Sequence, residues 1–451
     1  MARNLFQTTT ATPQPTPAPG FAPAAQPVEV DTGLKVRIHQ RLLELLNLSL
    51  LEKTPRATLR GEIRGTIGQL LAEERRFLTP SQTDQLIEDV LDELLGLGPL
   101  EPLLKDDTVA DILINTHTTV YVERRGRLEL TDVHFQDTRH LVRIINKIVA
   151  AVGRRVDEST PMVDARLADG SRVNAIIPPV AVDGPLVSIR KFAATPIFMS
   201  KLVEFGSLTL EMSDVLAAVV QGRRNVLVSG GTGSGKTTLL NALSAFIDHR
   251  ERIVTIEDSA ELQLQQPHVG RLETRPANTE GTGEISQRDL LKNALRMRPD
   301  RIIVGEVRSG EAFDMLQAMN TGHDGSMTTV HANTPRDALT RVEQMIGMAG
   351  LDISPRSVRQ QIASAINVVV QTERMEDGRR RVISIAEITG MEGDVISMQE
   401  IFRFKRRNRT ADGQLEGVYE ATGVRPKFME VLSSRGINLA PQIFAPGRVS
   451  A

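Results

Sequence analysis

The chain has 451 residues, a formal net charge of −2 and 40% hydrophobic residues. This length exceeds what one compact core supports, so we expect two or three domains. The near-neutral charge argues against a protein that coats nucleic acid, and aromatic residues, at 3%, are scarce for stacking on single strands. Because the chain has no cysteine, disulfides and cysteine-ligated zinc are excluded, and nothing in the sequence conflicts with a reducing cytosol.

The first 30 residues are rich in proline, threonine and alanine, and five prolines nearly alternate between positions 13 and 23. Proline at this density prevents both helices and strand ladders, so we expect a disordered tail over 1–30. No stretch approaches the roughly 18 apolar residues that span a bilayer, and the N-terminus has no apolar signal-peptide core. We therefore expect a soluble, cytoplasmic chain.

Helical spacing dominates the next region, over 31–104. Apolar residues from Leu86 to Leu95 recur at intervals of four, which predicts an amphipathic helix that begins near Pro80 and Ser81. An earlier run, Leu42 to Leu51, has apolar residues on more than one face. That run indicates either a core helix or a contact surface.

The region 105–192 has the pattern of a compact α+β domain. Strands are predicted at 110–114, 120–122, 128–130, 172–177 and 186–192, and a helix at 139–152. The second and third strands are joined through Arg125-Gly126 as a hairpin. A linker with Pro196 follows over 193–200, ahead of a third region over 201–451 that alternates strands and helices as an α/β sheet does.

A phosphate-binding motif opens the third region. Residues 230–237 read Gly-Gly-Thr-Gly-Ser-Gly-Lys-Thr, between the apolar run Asn225–Ser229 and a helical pattern that starts at Leu239. Backbone N–H groups in such a loop surround a triphosphate, Lys236 contacts the β- and γ-phosphates, and the Thr237 hydroxyl ligates Mg²⁺. The predicted nucleotide-binding residues are Gly230, Gly231, Thr232, Gly233, Ser234, Gly235, Lys236, Thr237 and Thr238.

Two acidic residues follow apolar strands further along the chain. Glu257 ends the run Ile253–Ile256, and Glu306 follows Arg301–Val304 with Gly305 in the place of the usual aspartate. A carboxylate at the carboxyl end of a parallel strand is positioned to act on Mg²⁺ or on the attacking water. A lone acid of this kind is more often a solvated loop residue, but two of them downstream of a phosphate loop favour chemistry.

His323 and His331 flank a polar segment that is predicted to form another sheet edge. They are eight positions apart with no third histidine nearby, and Mg²⁺ prefers oxygen ligands, so we do not expect a zinc site. Contact with the γ-phosphate is the functional interpretation that we favour.

Four ordered blocks carry a resemblance to a known family: Gly230–Thr238, Thr255–Asp258, Arg296–Arg308, and Thr321–Ser326 with His331–Asn333. They resemble the Walker A, Asp box, Walker B and His box of bacterial secretion ATPases. Within that superfamily the chain is most similar to the Tad pilus assembly ATPases called CpaF or TadA, over most of residues 35 to 405. The fold implied is a P-loop, RecA-like α/β ATPase core preceded by a smaller α+β domain and an N-terminal helical region.

The resemblance also implies a homo-hexameric ring that hydrolyses ATP with Mg²⁺ and drives pilus assembly. In such rings, arginines of the α+β domain complete the nucleotide site, and the matching residues are Arg172 and Arg190. Their alternative role is solvated strand charge. Weaker candidates are Arg124, Arg308 and Arg336. The implied partners are pilus platform proteins, with the ring on the cytoplasmic face of the inner membrane and no nucleic acid bound.

Among the catalytic candidates, Lys236 is expected to bind phosphate, Glu257 to activate water and Glu306 to orient Mg²⁺, although the two acids could exchange roles; His331 completes the set. Three alternatives stay open. They are a type IV secretion ATPase, a DNA-translocating motor and a nucleotide-gated scaffold with negligible turnover. A basic run over 405–409 is either a solvated face or a docking surface.

Overall fold

The computed structural model describes residues 37–38, 41–42, 56–74, 76–124, 126–192, 196–277, 281–410 and 415–449. The predicted tail over 1–30, nearly all of the leucine-rich run over 42–51, Arg125 and the first part of the linker, 193–195, lie outside the described residues. Contacts group the chain into two compact units, over 1–101 and 102–451. The finer division of the second unit at 193–200 stays a prediction.

The described α-helices are α1 (Arg56–Glu73), α2 (Pro80–Leu95), α3 (Glu101–Lys105), α4 (Thr138–Ala151), α5 (Met199–Glu204), α6 (Leu210–Gln221), α7 (Lys236–Ser244), α8 (Gln287–Ala294), α9 (Glu311–Asn320), α10 (Pro335–Met348), α11 (Pro355–Ala365) and α12 (Phe428–Ser434). The strands are β1 (Val109–Thr116), β2 (Thr119–Arg124), β3 (Arg127–Leu130), β4 (Met162–Arg166), β5 (Arg172–Ile176), β6 (Leu186–Arg190), β7 (Val226–Gly230), β8 (Ile253–Glu257), β9 (Val269–Glu273), β10 (Arg301–Val304), β11 (Met327–Val330), β12 (Val368–Arg374), β13 (Arg380–Glu392), β14 (Val395–Arg409), β15 (Leu415–Ala421) and β16 (Gly447–Val449).

Most of the described residues of the first unit are helical, as the spacing of its apolar residues predicts. Buried residues of α1 and α2 form one core together with the helical residues Ile38 and Leu42. Helix α2 begins at Pro80, as predicted; Thr79 is the N-cap, and its side chain and that of Gln82 form a reciprocal capping box. Pro80 occupies the first turn, where its missing N–H costs nothing.

The second unit begins with a six-stranded antiparallel sheet in the order β3-β2-β1-β6-β5-β4. The predicted hairpin is confirmed, because β2 pairs with β3 from Arg124 opposite Arg127. Helix α4 buries one face, including Leu141, Ile144 and Ile148. Sequence analysis missed β4, whose exposed and buried residues alternate with few β-branched side chains.

A ten-stranded sheet forms the rest of the unit, in the order β16-β15-β14-β13-β12-β7-β11-β10-β8-β9. The strands from β12 to β9 are parallel, and those from β12 to β16 are antiparallel. The parallel half confirms the predicted α/β core. Beyond Val368 the alternation of strand and helix stops, and long strands fold back on one another instead, which the sequence analysis did not predict.

Side chains of β7 explain why this sheet is buried on both faces. Val226 and Val228 contribute to the core on one face, and Leu227 contributes to the core on the other. All five residues of β7 are buried, as are all residues of β8, β10 and β11. Continuous apolar strands of this kind are typical of parallel sheets covered by helices. The polar ends of these strands therefore emerge together at one edge.

Candidate functional site

The phosphate loop joins the central strand β7 to helix α7. Gly235 is the N-cap of α7 with φ 95°, a left-handed conformation that glycine adopts without strain. A Cβ on Gly230 would overlap the hydroxyl oxygens of Ser234 and Thr372 and would lie 2.6 Å from the Thr372 carbonyl oxygen. The backbone is therefore closely approached at the start of the loop, and the amino end of α7 faces an anion site.

Lys236, the first residue of α7, folds back over the loop. Its Nζ donates to the Gly231 carbonyl oxygen at 3.0 Å. Burial lowers the pKa of Lys236 from its ordinary value, and the negative charge of Glu306 partly opposes that shift. An anion close to Nζ would raise this pKa again, because a neighbouring negative charge favours the charged form of lysine.

Glu257 is the last residue of β8 and is almost completely buried, with 3% of its surface exposed. Its Oε1 accepts hydrogen bonds from the backbone N–H groups of Glu261 (2.8 Å) and Leu262 (2.9 Å). Among the described residues no donor reaches its Oε2, which is also buried. Burial raises the pKa of Glu257 above its ordinary value, although the two N–H groups counteract the effect. The carboxylate is thus held by one oxygen and leaves the other for a substrate or a water.

Glu306 follows β10 and has different surroundings. Its Oε2 accepts from Arg308 Nη2 at 2.9 Å and from Arg308 Nε at 3.2 Å. Arg308 also lies 3.3 Å from the Asp258 carboxylate, through Nη1. Burial lowers the pKa of Arg308, but the bond to Glu306 and the charge of Asp258 outweigh burial and leave the pKa raised. Arg308, a weaker candidate in the sequence, therefore lies between both acidic strand ends.

Gly305 stands where an aspartate is usual, and the packing gives a reason. Its backbone N–H donates to the Ile256 carbonyl oxygen at 2.9 Å, which holds it beside the end of β8. A Cβ at this position would lie 3.0 Å from Cγ of Glu257. A side chain here would require Glu257 to shift by a few tenths of an ångström, and the acid of this strand end is Glu306, one residue further on.

Arg172 and Arg190, the predicted arginines of the six-stranded sheet, both lie near the acidic strand ends. Arg172 Nη1 is 3.2 Å from Glu261 Oε1, and its Nη2 donates to the Ser259 carbonyl oxygen at 2.8 Å. Arg190 Nε contacts Asp111 Oδ1 at 3.1 Å, and the positive charge of Arg190 adds to the lowering of the Lys236 pKa. Both arginines contact residues of their own chain.

The remaining sequence candidates lie elsewhere or have few described contacts. Arg124 pairs with Asp106 at 2.7 Å and Glu129 at 3.4 Å, and Arg336 is exposed in α10. His331 directly follows β11 and is exposed. His323 is half-buried, and its Nδ1 is 3.3 Å from the Ala318 carbonyl oxygen.

Sequence analysis missed a group of residues from β12 and β13 that borders the phosphate loop. Thr372 Oγ1 contacts Ser234 Oγ at 2.9 Å and donates to the Ser229 carbonyl oxygen at 3.1 Å. Arg380 Nε donates to the Gly233 carbonyl oxygen at 2.8 Å. No local motif marks these residues, because they reach the loop through the pairing of β12 with β7, in which the partners Thr372 and Gly230 are 142 positions apart in the sequence. The only local signal in the sequence is that the strand-like run over 368–381 contains arginines.

Comparison with known families identifies the chain. The family model described as "Type II/IV secretion system protein" matches residues 93–411, which include the six-stranded sheet, strands β7 to β14 of the ten-stranded sheet and both acidic strand ends. The chain belongs to the type II/IV secretion system protein family.

Individual relatives agree with this assignment. A putative conjugal transfer protein of Mycobacterium tuberculosis is 40% identical over 309 residues, which cover 67% of this chain and 87% of that protein. The conjugal transfer protein TrbB of Rhizobium radiobacter is 34% identical over 294 residues, covering 64% of this chain and 86% of that protein. Among solved structures, the VirB11 ATPase from the Brucella suis type IV secretion system, in complex with sulphate, has 28% identity and a TM-score of 0.35, covering 64% of this chain and 95% of that chain.

Two features are absent from the part of the chain that the structure describes. Within it, no helix combines the length and apolar character needed to cross a membrane. Nor do three or more His, Cys, Asp or Glu side chains gather there in a group that could hold a metal ion.

Proposed function

We propose that this member of the type II/IV secretion family is an ATPase that works as a homo-hexamer and powers assembly of a Tad pilus. One observation carries the enzymatic part: Glu257, buried and fixed through Oε1, leaves Oε2 without a donor among the described residues, beside the strand end that holds Glu306. Lys236 lies close enough to Glu306 for their charges to interact. Phosphate loop and acids therefore form one site.

ATP and Mg²⁺ fit the donor set of this site. The glycine-rich backbone of 230–235 leads into the amino end of α7, which favours an anion, and the hydroxyl and carboxylate oxygens of Thr237 and Glu306 are the kind of ligand that Mg²⁺ prefers. These two residues would hold Mg²⁺, with Glu306 acting in part through water. When bound, Mg²⁺ neutralises the charge that develops on the phosphates.

The chain's own residues divide the remaining work. Lys236 supplies a positive charge to the phosphates, and the backbone N–H groups of 230–238 surround them. Glu257 orients the attacking water and accepts its proton, because its carboxylate has a raised pKa and an oxygen with no described donor. Arg172 and Arg190 stabilise the transferring phosphate, and His331, next to β11, contacts the γ-phosphate.

The hexamer, the cytoplasmic face of the inner membrane and the pilus platform proteins as partners complete the proposal. The ordered series of four motif blocks supports a secretion ATPase, and the N-terminal helical unit favours the Tad branch among them. The absence of cysteine favours the Tad branch or the shorter type IV secretion ATPases over the secretion ATPases that carry a four-cysteine zinc subdomain.

A steady-state ATPase assay of the purified chain tests the enzyme, and the mass of the assembled particle tests the ring. We expect Mg²⁺-dependent release of phosphate from a particle of six subunits. Negligible turnover in an assembled ring that binds ATP would favour the nucleotide-gated scaffold instead.

A second candidate is a motor for conjugal transfer or type IV secretion, which is favoured by the names of the relatives from M. tuberculosis and R. radiobacter. Deleting the gene distinguishes the pilus role from the transfer role. Loss of surface pili with normal substrate transfer supports the Tad role, and loss of substrate transfer with normal pili supports conjugal transfer or secretion. A DNA-translocating motor would differ from both in having salt-dependent DNA binding.

A further inference from the structure

The strand next to the phosphate loop extends past it. β12 runs parallel to β7 with Thr372 opposite Gly230, so its last residue, Arg374, lies two positions beyond the end of β7. The chain then turns, and β13 begins at Arg380, which is paired with Arg374. Two arginines therefore stand side by side at the edge of the sheet where the loop begins.

Both arginines are close to the loop backbone. Besides the bond from Arg380 Nε to the Gly233 carbonyl oxygen at 2.8 Å, Arg374 Nη1 lies 3.4 Å from the position that a Cβ on Gly233 would occupy. The corresponding position on Gly235 is 3.5 Å from Arg380 Cδ. The guanidinium groups thus border the concave loop that is built to surround phosphate.

One carboxylate of the six-stranded sheet faces both arginines. Glu123 Oε1 is 3.6 Å from Arg380 Nη2, and Glu123 Oε2 is 3.7 Å from Arg374 Nη1. Arg374 also donates to the carbonyl oxygen of Gly126, in the turn that follows β2. The side chain of Glu123 is only 13% exposed, so its charge is poorly solvated. Arginine–carboxylate hydrogen bonds are usually 2.7–2.9 Å long. At the longer distances found here, Glu123 offsets the charge of the arginines without forming short hydrogen bonds to them.

We infer that Arg374 and Arg380 are additional phosphate-binding residues, and that Glu123 is a counter-ion which the nucleotide phosphates displace. This inference rests on the proposed nucleotide site at 230–238. Binding of ATP would transfer the arginines from Glu123 to phosphate oxygens, which offer stronger bidentate acceptors. Because Glu123 belongs to the six-stranded sheet, the exchange would also release a contact between that sheet and the loop.

Titration of the full chain with fluorescent ATP and ADP analogues in the presence of Mg²⁺ tests the inference. Arg374→Gln and Arg380→Gln should each weaken ATP binding about tenfold, the effect of losing a hydrogen bond to a charged group. Arg374→Lys and Arg380→Lys keep the charge and should recover part of the loss. Glu123→Gln should instead tighten ATP binding, about threefold, because the competing charge is removed.

The arginine variants and Glu123→Gln should change the ATP affinity in opposite directions. This difference distinguishes a carboxylate that competes with phosphate from one that only holds the arginines in position. If Glu123 merely held the arginines in place, Glu123→Gln would weaken ATP binding as the arginine variants do, and the inference would be overturned. Unchanged affinity in both arginine variants would overturn it as well. Glu373→Gln is the matched control, since Glu373 is adjacent to Arg374 but pairs with Arg406, and its affinity should equal the parent's. A parent chain that binds neither analogue would refute the proposed nucleotide site itself.

Discussion

The two acids at the strand ends differ in what surrounds them. Glu306 is neutralised by Arg308, whereas Glu257 is buried, is held by two backbone N–H groups and has a raised pKa. A general base benefits from a pKa moved toward the working pH, and a residue that orients a cation does not need this. The surroundings therefore favour Glu257 as the base and Glu306 as the residue that orients Mg²⁺.

These roles predict that substitutions of Lys236 and Glu306 affect ATP binding and ATP turnover differently. Lys236→Ala should abolish turnover and weaken ATP binding, because the phosphates lose a fixed counter-charge. Glu306→Gln should bind ATP with nearly the parent affinity and hydrolyse it at least about a hundredfold more slowly. Nucleotide titration and phosphate release on the same preparations measure both quantities. Turnover at the parent rate in Glu306→Gln would remove that residue from the mechanism.

Glu257→Gln should lower turnover about 10²- to 10⁴-fold and also stabilise the fold at neutral pH. A carboxyl with a raised folded-state pKa stabilises the protein fully below its unfolded value of 4.5, and this contribution is lost as the pH rises through the folded-state pKa. Glutamine carries no charge and avoids that loss. Thermal midpoints between pH 4 and 8 should therefore diverge, with the variant increasingly above the parent as the pH rises.

Glu158→Gln, at an exposed position, is the control for this experiment and should follow the parent at every pH. A variant that is destabilised at neutral pH would show that the ionised carboxylate is needed for folding, contrary to the prediction.

At this scale the sequence predicted the residues that follow a recognisable strand. Lys236, Glu257 and Glu306 all occur at the edge that parallel topology dictates. Glu123 and Arg380 were not predicted, because they reach the phosphate loop only through pairing between segments far apart in the chain. No periodicity within either segment carries that information.

At the scale of the elements, the end of the sheet opposite the phosphate loop depends on one buried ion pair. Arg301, the first residue of β10, is fully buried, and its Nε and Nη2 each bond to Glu251 at 2.8 Å. Its Nη1 donates to the Val220 carbonyl oxygen at 2.8 Å, at the end of α6. This side chain therefore joins the starts of β8 and β10 to the end of α6.

Glu251→Gln should lower the free energy of unfolding by about 3 kcal/mol, because it leaves the Arg301 charge buried without its acidic partner. Chemical denaturation measures the loss. Asp248→Asn is the matched control, since Asp248 pairs with the exposed Arg250 in the same turn, and its unfolding midpoint should barely move. Equal effects of the two changes would mean that Arg301 finds other acceptors.

The elements themselves were predicted where periodicity is strong. The buried strands β7, β8 and β10 and the amphipathic helices α2 and α4 agree with their sequence patterns. The antiparallel strands β13 and β14 were missed, because their buried and exposed residues follow no clean alternation and both contain bulges in their pairing. The basic run over 405–409 lies at the exposed end of β14, where a solvated face and a docking surface look alike.

At the scale of the whole molecule, substitutions of Arg172 and Arg190 test whether neighbouring subunits of a ring share nucleotide sites. Arg172→Ala and Arg190→Ala should each reduce turnover about 10³-fold while the thermal midpoint stays close to the parent's. If the arginines of one subunit serve the site of its neighbour, mixing either variant with the inactive Lys236→Ala chain should restore part of the activity.

Mixing Arg172→Ala with Arg190→Ala is the matched control, because both carry their defect on the same side of the shared site and should gain nothing. Failure of every mixture while subunits exchange would assign the arginines to their own chain.

The segment over 193–200, which contains Pro196, separates two regions that each contribute charges to one site. If ATP binds at the proposed site, which takes charges from both regions, the arrangement of the regions should differ between nucleotide states, and under the proposed function that difference performs work on a bound partner. The chain has no cysteine, so Thr118→Cys with Met348→Cys places one dye on each region, at exposed positions. We expect the distance between these dyes to change among ATP, ADP and nucleotide-free samples, in hexamers that contain one labelled subunit among unlabelled ones.

The control pair is Leu210→Cys with Met348→Cys. Both positions lie in the region over 201–451, so their distance should stay constant. Identical distances for the first pair in all three states of an active hexamer would exclude closure about 193–200 as the source of force.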